Sequence, residues 1–516
     1  MTEPDTLVVG AGPAGLALAC ALRLHGLEVR VVDAAAGPAT TSRANILHAK
    51  GVETLDRLGA LGDLPDRALP ALSVTQYLDD APAVTVRFGD LGLGTARPAM
   101  YISQADIEAA LRERLRELGG DIDWSTELTG LAQDPRGVTA RLADGGEVRC
   151  RWLAGCDGAH STVRGLAGIG FPGTRLTERF LLADVHARWS LDRSGGHGWP
   201  HADGPLFALP MREHGRDGTL WRLMAYDPAG TGEPTGEEIL DRFRRLVPER
   251  TGRDDLPIDD AAWTSVFRIH RRLADDYRAG RVLLAGDAAH LHSPFGGQGM
   301  LTGIGDAENL AWKLALVTRG TAADTLLDTY RAERRPVAAD VLRGTSAATR
   351  LQVGTDPLAR FARRRLLVPL ASAPAVQQRL TRLASQLWVH YRRGPLARAT
   401  VLGPRPRPGE RVPDRGCTGA DGSKTRLHAV LGGRWALLLP RGAPRQCAET
   451  ARARLGDALV ELTADDAHGR DAWLIRPDAH LAWRGRPTRQ ASLGRWLDDV
   501  LLRRSEEPAA SSEARR

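Results

Sequence analysis

Three things are scarce in this 516-residue chain: paired cysteines, long apolar runs and lysine. Cys20, Cys150, Cys156, Cys417 and Cys447 form no CxxC pair and no zinc spacing. That argues against a zinc site or a dithiol redox motif and suits reduced, mostly buried thiols, so no metal is expected. No apolar stretch reaches the roughly 18 residues of a membrane span. The opening MTEPDTLVVG is acidic and enters a strand at once, unlike a secretory leader. The expectation is a soluble cytoplasmic protein with no membrane partner. Lysine occurs only at Lys50, Lys313 and Lys424, so the net charge of +7 is an arginine surplus, with 70 basic residues against 63 acidic ones. Clusters such as Arg363-Arg364-Arg365 and Arg392-Arg393 lack the interleaved aromatics of a nucleic-acid surface, and no nucleic-acid partner is expected.

What is present is a globular composition, 42% hydrophobic and 26% charged, in a chain long enough for two or three domains. Its most informative stretch runs from Arg281 to Val317. Val282 to Ala285 reads as a buried strand ending at Gly286-Asp287. A Pro/Gly-rich loop, Ser293 to Gly299, then leads into a segment with apolar residues at Ile304, Ala307, Leu310, Ala311, Leu314 and Ala315, which is helical spacing. Strand, acid, glycine loop and helix N-terminus in that order form a cradle for a polar ligand, because glycines admit the backbone closely and helix N–H groups favour negative charge.

The same logic opens the chain. Thr6 to Val9 is a strand, followed by Gly10-x-Gly12-Pro13-Ala14-Gly15, a helix through Leu24 that Gly26 can stop, and a strand from Glu28 to Val32 ending at Asp33. With 56 glycines the bare GxGxxG pattern carries little, but the flanking strand, helix and acid make it a dinucleotide fingerprint. An acid at Asp33 suits the ribose of FAD or NAD rather than the 2′-phosphate of NADP. Three further sites stay ambiguous by themselves. Arg43 is a phosphate contact or a surface ion pair, Gln104 is a polar residue near a helix start, and Asp157-Gly158 ends a short strand as many turns do.

From Phe180 to Phe267 the alternation is strand-like, and a mainly antiparallel sheet inserted into the nucleotide-binding fold is expected, with Arg193 to Gly198 and Ala229 to Gly236 as loops. Phe207, Leu209, Leu223 and Met224 are its candidate substrate contacts. Pro336 should kink or restart a long helix running from Leu326 to Leu351. The Pro/Arg-rich Gly403 to Pro413 marks a boundary before a small α/β domain, and the final SEEPAASSEARR reads as a disordered tail. The division is therefore residues 1–179 and 268–402 for a split FAD-binding domain, 180–267 for the sheet, 403–504 for the C-terminal domain and 505–516 for the tail.

GAGPAG at 10–15, CDGAHSTVR at 156–164, GDAAHLHSPFGGQGMLTGIGDAENLAWKLA at 286–315 and DTYRAERRPVA at 328–338 resemble the class A FAD-dependent aromatic hydroxylases of the 4-hydroxybenzoate hydroxylase fold, most of all the branch acting on aromatic polyketides. IRPDAHLAWR at 475–484 resembles the C-terminal thioredoxin-like domain of larger members, here without a CxxC. The resemblance implies an α/β fold: a Rossmann-like FAD-binding domain, an inserted antiparallel substrate sheet and that C-terminal domain. It implies that Gly10, Gly12, Pro13, Ala14 and Gly15 hold the FAD pyrophosphate and Asp33 the ribose. Arg43 and Gln104 would contact the pyrophosphate and ribityl region, with Asp157, Gly158, Gly286 and Asp287 beside them. Pro294 would lie at the isoalloxazine and substrate, as the one catalytic candidate. Backbone N–H groups around Gly297, Gly299, Met300 and Leu301 would face the flavin N1–C2=O edge. Many relatives have Asn at the position of Leu301 and Gln at that of Gly305.

The implied chemistry is reduction of non-covalent FAD by NADPH or NADH, addition of O₂ at C4a of the reduced flavin to give a hydroperoxyflavin, and transfer of its distal oxygen to a polycyclic aromatic small molecule. The flavin carries the reaction and the protein positions it. A Baeyer–Villiger outcome on the same scaffold, a simple-phenol hydroxylase and a non-enzymatic flavin-binding protein stay open, whereas the WxWxIP of flavin halogenases is absent. His290 and His292 read as structural rather than as a metal pair. A monomer or homodimer is expected.

Overall fold

The computed structural model describes residues 3–40, 44–71, 73–78, 81–87, 93–201, 203–213, 218–227, 232–293, 296–353, 373–397, 404–465 and 469–501. It is a mixed α/β structure of two compact units, one formed by Met1–Glu308 and Arg334–Val389, the other by Asn309–Glu333 and His390–Arg516.

The first unit is built on a six-stranded sheet in the order Arg278–Ala279, Val282–Leu284, Trp152–Gly155, Thr6–Val9, Val29–Val32, Ile122–Asp123. All neighbours are parallel except the first pair. Leu7, Val8, Leu153, Ala154 and Leu283 are fully buried, the unbroken apolar run that a parallel sheet covered on both faces requires. Helix Pro13–Leu24 follows the first strand with proline in its first turn, where a missing N–H costs no hydrogen bond. It ends as the sequence predicts: Gly26 is left-handed (φ 69°), and the Leu27 amide donates to Leu22 O at 3.1 Å. Helix Gln104–Glu117, capped by the Ser103 side chain, buries Ile107, Leu111 and Leu115 and packs against it.

An eight-stranded sheet shares this unit, in the order His290–Leu291, Asp260–Leu273, Gly173–His186, Leu220–Tyr226, Leu206–Pro210, Gly195–Trp199, Ser73–Leu78, Ala81–Arg87. It is antiparallel except where Gly195–Trp199 runs parallel to Ser73–Leu78. Of the expected loop Arg193 to Gly198, Arg193 and Ser194 form a turn, but Gly195 to Gly198 are strand. The strand's glycines make room for neighbours, since a Cβ on Gly196 would lie 2.5 Å from a Leu209 methyl and one on Gly198 would lie 2.4 Å from Gln76 Nε2. Helix Gly236–Thr251, opened by a capping box of Thr235 and Glu238, covers one face. Strand alternation alone gave no sign of it. Helix Asp328–Val353 carries Pro336 inside a single run, so the proline does not start a new helix.

In the second unit the sheet order is Lys424–Arg426, Gly416–Gly419, Leu459–Ala464, Trp435–Leu439, Ala472–Ile475, Leu481–Gly485. Helices Gln446–Leu455 and Gln490–Val500 cover one face, burying Trp435, Leu437, Leu474 and Trp496 around Trp312. Beside this core, Glu333 accepts hydrogen bonds from Lys313 Nζ at 2.8 Å, Arg476 Nη1 at 2.7 Å and Asn309 Nδ2 at 2.8 Å, all in buried surroundings. Arg476 and Lys313 hold Glu333 down to about 2 against the upward push of burial, so it stays ionised.

Candidate functional site

Three parallel strands deliver their C-terminal ends to one place. The ladder continues past them: the Gly10 amide donates to Val32 O at 2.8 Å, Cys156 N to Val9 O at 2.7 Å and Ala285 N to Gly155 O at 3.0 Å. The loops beginning at Gly10, Cys156 and Ala285 therefore start side by side. Gly10 is left-handed (φ 104°), and a Cβ there would sit 2.4 Å from Cys156 O. A Cβ on Gly15 would sit 1.9 Å from Gly10 O, which is what lets the helix begin directly under the turn. Gly12 differs, because no atom lies within 4 Å of its would-be Cβ. That gap stands at the N-terminus of helix Pro13–Leu24, where Gly12 makes no side-chain cap.

A second helix starts beside the first. Gly286 (φ 65°) and Gly303 meet across Ala14: a Cβ on Gly286 would lie 2.8 Å from Ala14 Cβ, and one on Gly303 would lie 3.1 Å from Gly286 Cα. Small residues at all three positions bring helix Gly299–Thr318 against the start of Pro13–Leu24. Two helix N-termini and a glycine turn then share one corner, which suits a pyrophosphate and an anionic ring edge. The approach to Gly299 is also open, with no atom within 4 Å of its would-be Cβ.

Buried polar groups lock this corner. Asp306, on the second turn of the helix, accepts from Gly286 N at 3.2 Å, His290 Nε2 at 2.6 Å and Arg334 Nε at 2.7 Å, and is itself fully buried. Burial would raise its pKa, but Arg334 and His290 outweigh that and hold it below the usual range. His290 is thus occupied structurally. His48 Nε2 lies 2.7 Å from Gly296 O; burial lowers His48 to about 4, so the neutral ring donates this bond and pins the glycine loop. Burial and neighbouring His290 lower His292 to about 3.

The residues singled out in the sequence fall into place as follows. Asp33 Oδ2 accepts from Ala11 N at 2.7 Å and Oδ1 from Ala35 N at 2.8 Å, so its carboxylate orders the glycine turn. Asp157 accepts from Ser161 Oγ at 2.5 Å and Val163 N at 2.9 Å, holding the short helix Thr162–Leu166. Asp287 is exposed at the corner next to buried Gly286. Gln104 Nε2 donates to Glu108 at 2.8 Å. Gly158 is left-handed (φ 77°) with open space before it, and Gly297 closes against Ile46. Arg43 and Pro294 lie outside the described residues. Leu301 is buried, with a methyl 3.3 Å from the would-be Cβ of Gly51 on helix Ala49–Leu58. Gly305 leaves room for Arg334, whose Nη2 would lie 2.9 Å from a Cβ there. Both departures thus serve packing around Asp306 and the helix start.

The four proposed substrate contacts divide between the faces of the large sheet. Phe207 and Met224 cluster with Phe180, Tyr226 and Phe267, and Leu209 packs with Tyr101, Ile46 and Leu69 on that same face. Leu223 points the other way, fully buried under helix Gly236–Thr251 with Trp221 and Phe243. In a strand, consecutive residues face opposite sides, so Leu223 and Met224 could not both line one pocket.

Residues 3–345 match the FAD binding domain family, and residues 405–503 match the C-terminal domain of aromatic-ring hydroxylases. The chain belongs to the FAD-dependent aromatic-ring hydroxylases. It is 35% identical to a 6-methylpretetramide 4-monooxygenase of Streptomyces rimosus, over 99% of this chain and 96% of that protein. It is 36% identical to a 12-dehydrotetracycline 5-monooxygenase/anhydrotetracycline 6-monooxygenase of the same species, over 94% and 95%. Among solved structures, an anhydrotetracycline hydroxylase from Streptomyces rimosus superimposes with a TM-score of 0.82 at 34% identity, covering 97% of this chain and 99% of that one. The hydroxylase is accordingly an FAD-dependent monooxygenase. No helix among its described residues is long and apolar enough to cross a membrane.

Asp306, Arg334 and His48 escaped the sequence reading. Asp306 and Arg334 stand 28 residues apart on different helices. Their only sequence signal is that an acid and an arginine each fall on what would be a buried helical face.

Proposed function

We propose that this hydroxylase oxygenates a polycyclic aromatic of the polyketide type, using O₂ and electrons from NADPH or NADH, with the substrate on the Phe180–Phe207–Leu209–Met224–Phe267 face of the large sheet. The observation that carries the substrate site is the division of that sheet. One face is sealed by the protein's own helix, while the other presents aromatic and thioether groups on the side where Leu209 packs against the Tyr101 cluster that also holds Ile46, the neighbour of the glycine loop. Relatives named for 6-methylpretetramide, 12-dehydrotetracycline and anhydrotetracycline, and an aklavinone-11 hydroxylase structure with FAD and aklavinone (TM-score 0.77, 25% identity), support the substrate class.

We assign the Rossmann-like FAD-binding role to residues 1–179 and 268–402, the substrate role to 180–267 together with strands Ser73–Leu78 and Ala81–Arg87, and the thioredoxin-like role to 403–504. Gly10, Gly12, Pro13, Ala14 and Gly15 receive the pyrophosphate, and the gap before Gly12 fits it. Asp33 shapes the turn and reaches the ribose. Asp287, with Gly158 nearby, takes the ribityl region. The N–H groups of Gly299, Met300 and Leu301, which have no intrahelical acceptor, face the N1–C2=O edge and stabilise negative charge there. Bound FAD supplies the electron transfer and oxygen activation. The chain's own groups orient the ring, exclude water with the aromatic cluster, and keep His48 and Asp306 in single protonation states behind the cradle.

Coupled turnover tests the reading: product formed per NADPH consumed, compared between an anthracycline- or angucycline-like aromatic and 4-hydroxybenzoate. The expected product gains one oxygen with its rings retained. Burying a fused-ring substrate adds about 2.5 kcal/mol per extra 100 Å² before ordering costs, at about 25 cal/mol/Å². Efficient coupling on the small phenol, with none on polycycles, refutes the substrate class.

A further inference from the structure

Helix Pro374–Ala384 ends with an anomaly. Leu387 N donates to Arg382 O at 3.0 Å and Gln386 N to Leu383 O at 3.3 Å, a stop that places Gln386 in the left-handed region (φ 54°). That position favours glycine or asparagine, and any longer side chain raises its free energy. Among the described residues only Ser125 and Ala479 share this conformation without being glycine. Gln386 is not an exposed bystander either, being 3% exposed. Such a backbone outlier points to a task for its side chain.

The task is visible in its contacts. Gln386 Nε2 donates to Thr302 Oγ1 at 2.8 Å and lies 3.3 Å from Gln298 Oε1 and 3.4 Å from Gln298 O. Thr302 in turn donates through both Oγ1 (2.7 Å) and its amide (2.9 Å) to Gln298 O, closing the first turn of helix Gly299–Thr318. The amide therefore staples the two ends of the turn that carries Gly299, Met300 and Leu301, leaving their N–H groups aimed outward. The stapling helix is itself anchored. Gln377 Nε2 donates to Thr85 O at 2.8 Å, Gln377 Oε1 accepts from Arg87 N at 2.8 Å, and Thr381 Oγ1 donates to Arg87 O at 2.6 Å. It thus continues the pattern of the edge strand Ala81–Arg87 as a further strand would, and ends on the glycine-loop helix.

We propose that Gln386 is a positioning residue that fixes the flavin-facing turn, a role resting on the assignment of Gly299–Leu301 to the flavin edge. Two variants separate positioning from mere structure. Gln386→Gly removes the amide and relieves the backbone; Gln386→Met keeps the length and the backbone cost but lacks the amide. The FAD-free Gly variant should melt at or above the wild-type temperature and the Met variant below it. In both, FAD should bind about 2- to 13-fold more weakly, as loss of one neutral hydrogen bond implies, with altered absorption and fluorescence of the bound flavin. A Gly variant with wild-type FAD affinity and flavin spectrum overturns the proposal. Gly303→Leu, which pushes the same turn away from Gly286 and Ala14, tells the two levels apart. If it disturbs the flavin while Gln386→Gly does not, only the role of Gln386 fails; if it too leaves the flavin unchanged, the assignment of the turn fails.

Discussion

The two faces of the eight-stranded sheet are made by the same strands and have opposite fates. On one, Leu181, Ala183, Trp221, Leu223 and Ala225 pack against Ile239, Phe243 and Val247 of a helix that belongs to the sheet's own segment. On the other, Phe180 and Phe207 meet Met224, Tyr226 and Phe267, the last three only half buried. A core face is complete without a ligand, whereas an aromatic face left partly open gains from one. The cradle repeats the contrast with acids: Asp306 is sealed and fully partnered, while Asp287, at the same corner, is exposed.

Sealed positions should respond in stability and open ones in binding. The largest effect is expected from Asp306→Ala, which removes the carboxylate that pairs with the buried Arg334 guanidinium and should cost about 3–5 kcal/mol by denaturant unfolding of the FAD-free protein. Leu223→Ala follows at about 2–5 kcal/mol from cavity formation. Its product distribution should stay that of the wild type, and a shift in regiochemistry would break the two-face division. Asp287→Ala should leave unfolding nearly unchanged yet weaken FAD roughly 10- to 150-fold, the loss of a hydrogen bond to a charged group. An unchanged FAD titration would make Asp287 structural. The smallest effect is electrostatic. His48 titrates at its ordinary 6.5 when unfolded but at about 4 when folded, so the unfolded chain binds more protons between these values. Stability should therefore be whole above pH 6.5 and decline as pH falls towards 4, by no more than about 1.4 kcal/mol per pH unit from this group. His48→Gln should flatten that part of the profile; an unchanged slope would place its origin elsewhere, with His292 the next candidate.

Local signals carried much of the architecture. GAGPAG between an apolar strand and an alanine-rich helix, and Gly26 as its stop, act through contacts within a few residues, and each stands where it was expected. GGHGW at 195–199 did not read as a strand, because glycine lowers strand propensity. Its pairing with Ser73–Leu78 is accompanied by the rings of Tyr77 and Trp199, stacked 5.0 Å apart across a chain separation no local pattern spans.

The sequence by itself determined that two glycine-rich turns follow buried strands and precede helices, because turn geometry and helix periodicity are local. Only the tertiary structure decided that Ala14, Gly286 and Gly303 meet, that Asp306 finds His290 and Arg334, that Leu223 faces away from Met224's neighbours, and that Gln386 closes a turn 84 residues earlier. Those pairings arise from the packing of whole elements, and burial and exposure are properties of that packing rather than of any one stretch of chain.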